Sequence, residues 1–152
     1  MVLQLHVTTA FTEHDVLSYM RSHKFAVIAT TEATGAPHAV RVGIATTDAL
    51  ELVFDTLAST RKHANLQREP RVAVMFTGPD QRTLEYEGVA FPVSVSDAAD
   101  NAYREVYYSV WPDGRERAKL PYVAYWRIVP RWARYSEIYR GPILIECHWN
   151  PG

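Results

Sequence analysis

Short apolar runs cut off by turn residues constrain this chain more than any motif does. FAVIATT (25–31), LELVFDT (50–56) and RVAVMFT (71–77) are rich in β-branched and aromatic residues, which suit a pleated, half-buried surface. GAP at 35–37 is a turn signal before HAVRVGIATT (38–47), so the first two runs of this region form a hairpin, and a second turn around Asp48 leads into the next strand. In RTLEYEGVAFPVSV the apolar residues Leu84 and Tyr86 precede Gly88 on even positions, whereas Val89, Phe91, Val93 and Val95 follow it on odd ones. One inserted residue changes parity in this way, and the change predicts a β-bulge or barrel corner at the glycine. YVAYWRIV (122–129) and ARYSEIY (133–139) add two strands around Pro130, with Tyr122, Tyr125 and Trp126 on a buried face. Strands so short and so evenly spaced favour a closed or nearly closed antiparallel barrel.

Helical spacing is confined to a few places. Thr12, with Glu13 and Asp15 behind it, predicts a helix start, and Val16, Leu17 and Met20 carry the pattern to about His23. Asp97 caps a second amphipathic stretch, with Tyr103, Tyr107 and Val110 on one face, that ends near Pro112, Asp113 and Gly114. Tyr103, Tyr107, Tyr108 and Trp111 fit a packed helix face better than an aromatic box for a planar ligand. GRERAK after it reads as a solvated loop. The fold class is therefore mainly β, an α+β chain whose 152 residues form one domain over 1–152.

Apolar residues make up 47% of the sequence and charged residues 22%, which excludes long disordered stretches, and the net charge of −1 gives no overall pull toward nucleic acid or a membrane surface. Cys147 is the only cysteine, so no internal disulfide or thiolate cluster can form, and a reducing cytoplasm is the expected location. No basic and apolar leader opens the sequence and no run approaches the roughly 20 apolar residues of a membrane span. The six histidines show no pair at metal-ligand spacing, and no metal site is expected. Cys147 and His148 are neighbours on an extended segment and point to opposite faces, which excludes a nucleophilic dyad.

The chemistry concentrates in FDTLASTRKHANLQREPRVAVMF (54–76), a strand, a turn, a short helix and a strand. Arg61 and Lys62 fall in the first turn of that helix, where the dipole disfavours cations by about 0.3–1 kcal/mol each. A bound phosphate would offset the cost. Thr56, Ser59 and Thr60 supply hydroxyls, the first-turn amides supply donors, and Arg61, Lys62 and Arg41 supply charge, with charge-assisted bonds of about 1.5–3 kcal/mol each. On this string alone the alternative stays open that both cations point into water. His63 reads as a solvated helix residue.

These residues, FDT, STRK, NL and EP before RVAVMF, with AVRVGI upstream, resemble the pyridoxamine 5′-phosphate oxidase-like family of FMN-binding split barrels, from about Phe25 to Gly88. PRWARYSE (130–137) is similar to C-terminal segments of small members. The resemblance implies a six- to seven-stranded antiparallel split β-barrel with flanking helices, FMN as cofactor, and a homodimer with the cofactor between subunits. It places the flavin-facing strand on Arg41, Val42, Gly43 and Ile44, the aromatic-Thr pair on Asp55 and Thr56, and the phosphate clamp on Arg61 and Lys62. A flavin-contacting Gln falls on Thr83, while Trp132 and Arg134 flank the expected flavin edge. Similar barrels bind deazaflavin or haem instead.

Two departures qualify the match. Asp55 puts a carboxylate where the oxidases carry an aromatic ring, and it repels a phosphate unless Arg61 or Arg41 pairs with it. The C-terminal quarter lacks the Arg-x-His segment that the true oxidases use on their substrate. The expected function is thus an FMN-dependent oxidoreductase acting on an unidentified small molecule, with no catalytic residue identified. The competing class is a binding protein without turnover, a sensor or store. A nucleic-acid contact through Arg61, Lys62, Arg68 and Arg71 ranks last.

Overall fold

The computed structural model describes residues 2–5, 12–137 and 143–148, with side chains placed over 12–137. Its elements are β1 (Val2–Leu5), α1 (Glu13–Arg21), β2 (Phe25–Thr31), β3 (Pro37–Gly43), β4 (Ala45–Thr46), β5 (Leu52–Leu57), α2 (Arg61–Arg68), β6 (Arg71–Thr77), β7 (Thr83–Val93), α3 (Asn101–Val110), α4 (Gly114–Arg117), β8 (Val123–Glu137) and β9 (Ile143–His148). Seven strands run β1-β9-β8-β7-β6-β2-β3 in one antiparallel sheet that curls into a half-barrel with flanking helices. β8 is the hinge of that curl. Its first half pairs with β5 from Leu52 opposite Ile128 to Leu57 opposite Val123, and its second half pairs with β9.

The two strands expected around Pro130 are one continuous strand of 15 residues. Proline survives there because the ladder is already broken: Glu87 faces Trp132 and Gly88 faces Pro130, so Arg131 is an extra, unpaired residue. The bulge lies where the parity change placed it, but the inserted residue belongs to β8. The alternation of β7 therefore continues inward through Leu84, Tyr86 and Ala90, and Phe91 stays exposed under the Arg127 guanidinium at 5.0 Å. A side chain at Gly88 would bring its Cβ to 2.5 Å from the Val129 carbonyl oxygen, so the close crossing of β7 and β8 requires glycine.

Thr12 and Asp15 close a reciprocal cap on α1, and Val16 and Met20 from that helix reach the barrel core with Ile28, Phe54, Phe76 and Tyr86. A second core joins Tyr107 and Tyr108 of α3 to Val53, Val93 and Tyr125. β8 passes between the two. Tyr125 and Trp126 are consequently both buried, on opposite sides of the strand, while Tyr122 is exposed, in contrast to the single buried face expected for these three. GRERAK is no solvated loop either, since α4 forms within it and Arg117 is drawn inward. No helix among the described residues is long and apolar enough to cross a membrane.

Candidate functional site

β5 ends at Leu57, and Thr60 begins α2 with extended backbone and a hydroxyl that accepts from the His63 amide at 3.3 Å. Three bonds fix the helix on β2. Asn65 donates to the Thr30 hydroxyl at 3.0 Å, Arg68 to the Thr31 carbonyl at 2.5 Å, and Arg61 to Glu32 at 2.9 Å. The helix start is thereby held beside Thr56. Lys62 turns inward, is only 7% exposed, and donates to Thr56 Oγ1 at 2.6 Å, while Thr56 Oγ1 lies 3.0 Å from Thr60 Oγ1. Burial pushes the Lys62 ammonium below its usual pKa, against an opposing pull from the Asp55 charge.

The two adjacent cations thus part company. Arg61 leaves 70% of its side chain exposed and pairs with Glu32, whereas Lys62 is a partly desolvated ammonium with three donors in a nest of threonine hydroxyls. Ser59 is exposed at the turn. The Thr60 hydroxyl donates to the Leu57 carbonyl at 2.9 Å and the His63 amide is spent on the Thr60 oxygen, so the donors left for a phosphate are the Lys62 ammonium and the Arg61 and Lys62 amides, with Thr56 and Thr60 free to reorient their hydroxyls toward it.

Asp55 pairs with neither Arg61 nor Arg41. Its Oδ2 accepts from Arg117 Nε and its Oδ1 from the Tyr107 hydroxyl, both at 2.8 Å, and Arg117 Nη2 donates to the same hydroxyl at 3.1 Å. Burial resists the Arg117 charge, but the bonds and charge of Asp55, with Tyr107, hold its pKa above the usual range. The sequence signal for this arrangement was weak, because Arg117 lies 62 residues from Asp55 in a run that looks solvent-facing.

Arg41 faces outward on β3 and lies 4.4 Å over the Phe25 ring. Phe25 opens β2 and Glu32 follows its last residue, roughly 23 Å away at strand rise, so within one chain Arg41 is remote from Arg61. The Ile44 amide, expected near a ring, is spent on the Lys24 carbonyl at 2.9 Å. The antiparallel alternation then turns the Val42 amide toward Ala26 and those of Arg41 and Gly43 toward the open edge of β3. The Trp111 indole lies so close to Gly43 that a Cβ there would meet it at 3.0 Å, and its Nε1 donates to the Ile44 carbonyl at 3.0 Å.

The Thr83 hydroxyl bonds Ser136 at 2.7 Å, and Arg134 pairs with Glu85 at 2.6 Å while its guanidinium lies 5.5 Å from the Trp132 ring. The register carries one outward row from Arg41 through Val27, Met75 and Glu85 to Arg134. Phe25, Val27, Ala39 and Ala73 make the β3-β2-β6 part of that face apolar and exposed. His63 is half-buried, not solvated: its Nδ1 accepts from Trp126 Nε1 at 3.1 Å, and burial followed by the Lys62 charge lowers its pKa. No group of three or more His, Cys, Asp or Glu side chains able to hold a metal lies among the described residues. The side chains of Cys147 and His148 fall outside them.

Residues 12–137 match the model of the family described as pyridoxamine 5′-phosphate oxidase. The fold is shared with a pyridoxamine 5′-phosphate oxidase-related, FMN binding protein of Nostoc punctiforme at 15% identity, covering 95% of this chain and 100% of that one with a TM-score of 0.66. It is shared too with HutZ, the heme storage protein of Vibrio cholerae, at 16% identity over 78% and 89% of the two chains, TM-score 0.69. A heme binding protein from Mycobacterium smegmatis matches at 14% identity and TM-score 0.73, covering 86% of this chain but only 55% of that one. No curated protein matches the sequence.

Proposed function

Since the chain belongs to the pyridoxamine 5′-phosphate oxidase family, we propose that it is an FMN-binding oxidoreductase acting on a small molecule. The single observation that carries this reading is Lys62, an ammonium kept dry among Thr56, Thr60 and the start of α2, where an anionic ligand would repay its burial. Lys62 and the two threonines would hold the phosphate, and Arg61 would add charge at the rim. FMN, when bound, supplies the redox chemistry, and the residues here orient and shelter it. The FMN binding protein of Nostoc punctiforme lends the same direction.

A homodimer with the cofactor between subunits is part of the proposal. Its support is the exposed apolar face of Phe25, Val27, Ala39 and Ala73, which a second copy would cover. The heme proteins among the similar structures favour haem as the second reading, with storage in place of turnover. The described histidine beside the clamp argues for flavin over haem. His63 uses its Nδ1 lone pair on Trp126, so its proton sits on Nε2, and ligation of iron there would first have to displace it.

Purified protein should be yellow, release FMN on denaturation and bleach when NADH or NADPH is added. Protein that carries haem, or that stays colourless after incubation with FMN, would overturn the reading. Bound FMN that no donor reduces would convert it to a store.

A further inference from the structure

The cluster of Asp55, Tyr107 and Arg117 has no part in holding a phosphate, yet it sits on the same strand as Thr56, one residue away. Both carboxylate oxygens of Asp55 are engaged, one by the Tyr107 hydroxyl and the other by Arg117, and only 18% of the Asp55 side chain is exposed. Arg117 is itself fixed by Tyr107 and by Asp113 of its own turn. Asp55 and Thr56 are neighbours on β5, so the Asp55 carboxylate and the Lys62 ammonium bonded to Thr56 lie on opposite faces of one strand, and the carboxylate charge opposes the effect of burial on that ammonium. Without its guanidinium, that charge would draw on the ammonium and repel an incoming phosphate, and in a partly buried site such a term is not screened away by solvent.

We infer that Arg117 is a positioning residue for the anion site, neutralising the Asp55 carboxylate on the α3 side of β5 so that Lys62 stays available to a phosphomonoester. The inference rests on the reading of Thr56, Thr60 and Lys62 as a phosphate clamp. It also explains how a chain of this family accommodates a carboxylate next to that clamp: the compensating charge comes from α4, not from the helix that carries the phosphate ligands.

The test is titration of the full chain with FMN and with riboflavin, which differ only in the phosphate, followed by flavin fluorescence. The unmodified protein should prefer FMN. Arg117→Ala should cut that preference about tenfold with riboflavin affinity unchanged, and Asp55→Asn added to it should restore the preference. Asp55→Asn alone removes the negative charge next to the clamp while Asp113 still pairs with Arg117, so it should raise the preference. Arg117→Lys should retain most of it. A full preference in Arg117→Ala, a double variant that stays impaired, or a fall in Asp55→Asn would overturn the inference and leave the clamp standing. Absence of any preference in the unmodified protein would overturn the clamp, and the inference with it.

Discussion

The barrel interior and the tyrosine cluster beside α3 are both dry, but they are built from different chemistry. Inside the barrel, Ile28, Leu52, Phe54, Phe76 and Leu84 interlock as hydrocarbon, where transfer free energy rewards volume, and Tyr86 among them anchors its hydroxyl on the Leu50 carbonyl at 3.0 Å. Beside α3, Tyr107, Tyr108 and Tyr125 pack edge to face, with ring centroids of Tyr107 and Tyr125 5.3 Å apart. Their hydroxyls are directional: Tyr107 donates to Asp55 and Tyr125 to the Gly114 carbonyl at 3.0 Å. The first region sets the fold. The second fixes where α3 and α4 sit, and hence where Arg117 meets β5.

Substitutions on the two sides should separate these roles. Phe76→Ala, fully buried against Tyr86 and His23, should cost about 3–5 kcal/mol in denaturant unfolding, the largest loss expected. Tyr125→Phe preserves volume and removes one of the two donors to the Gly114 carbonyl, the Ala118 amide at 2.8 Å remaining, for a loss of about 1 kcal/mol. If its loss matched that of Phe76→Ala, the division between the two cores would fail.

Tyr107→Phe should cost about 1 kcal/mol at neutral pH and change the alkaline limb. Burial, then the charge and hydrogen bond of Asp55, raise the Tyr107 pKa, and burial raises that of Tyr125. A folded state that holds these protons more tightly than the unfolded chain keeps its full stability below about pH 10, the ordinary tyrosine value, and loses it as pH rises beyond. Removing the Tyr107 hydroxyl should make that decline shallower. An unchanged slope would mean that Tyr107 ionises as freely folded as unfolded.

The barrel was legible in the sequence because its signal is local: each strand announces itself by composition and each turn by Gly, Pro or Asp. The bulge at Gly88 was legible as a change of parity, but which strand holds the extra residue depends on pairing, and Arg131 lies 43 positions downstream of that glycine. Thr56, Thr60 and Lys62 came from one continuous string, so their meeting was readable. Arg41 was grouped with them because it lies near in sequence, yet the length of β2 separates them within one chain. Arg117 was missed for the complementary reason, since its partner lies far away and its neighbours are all charged.

The FMN affinity of Lys62→Ala set beside that of Arg61→Ala tests the account most directly. Two adjacent cations, one dry and one paired with Glu32 in solvent, should differ: about 2–3 kcal/mol lost at Lys62, and less than about 1 kcal/mol at Arg61. Wild-type affinity in Lys62→Ala, or a larger loss at Arg61 than at Lys62, would contradict it.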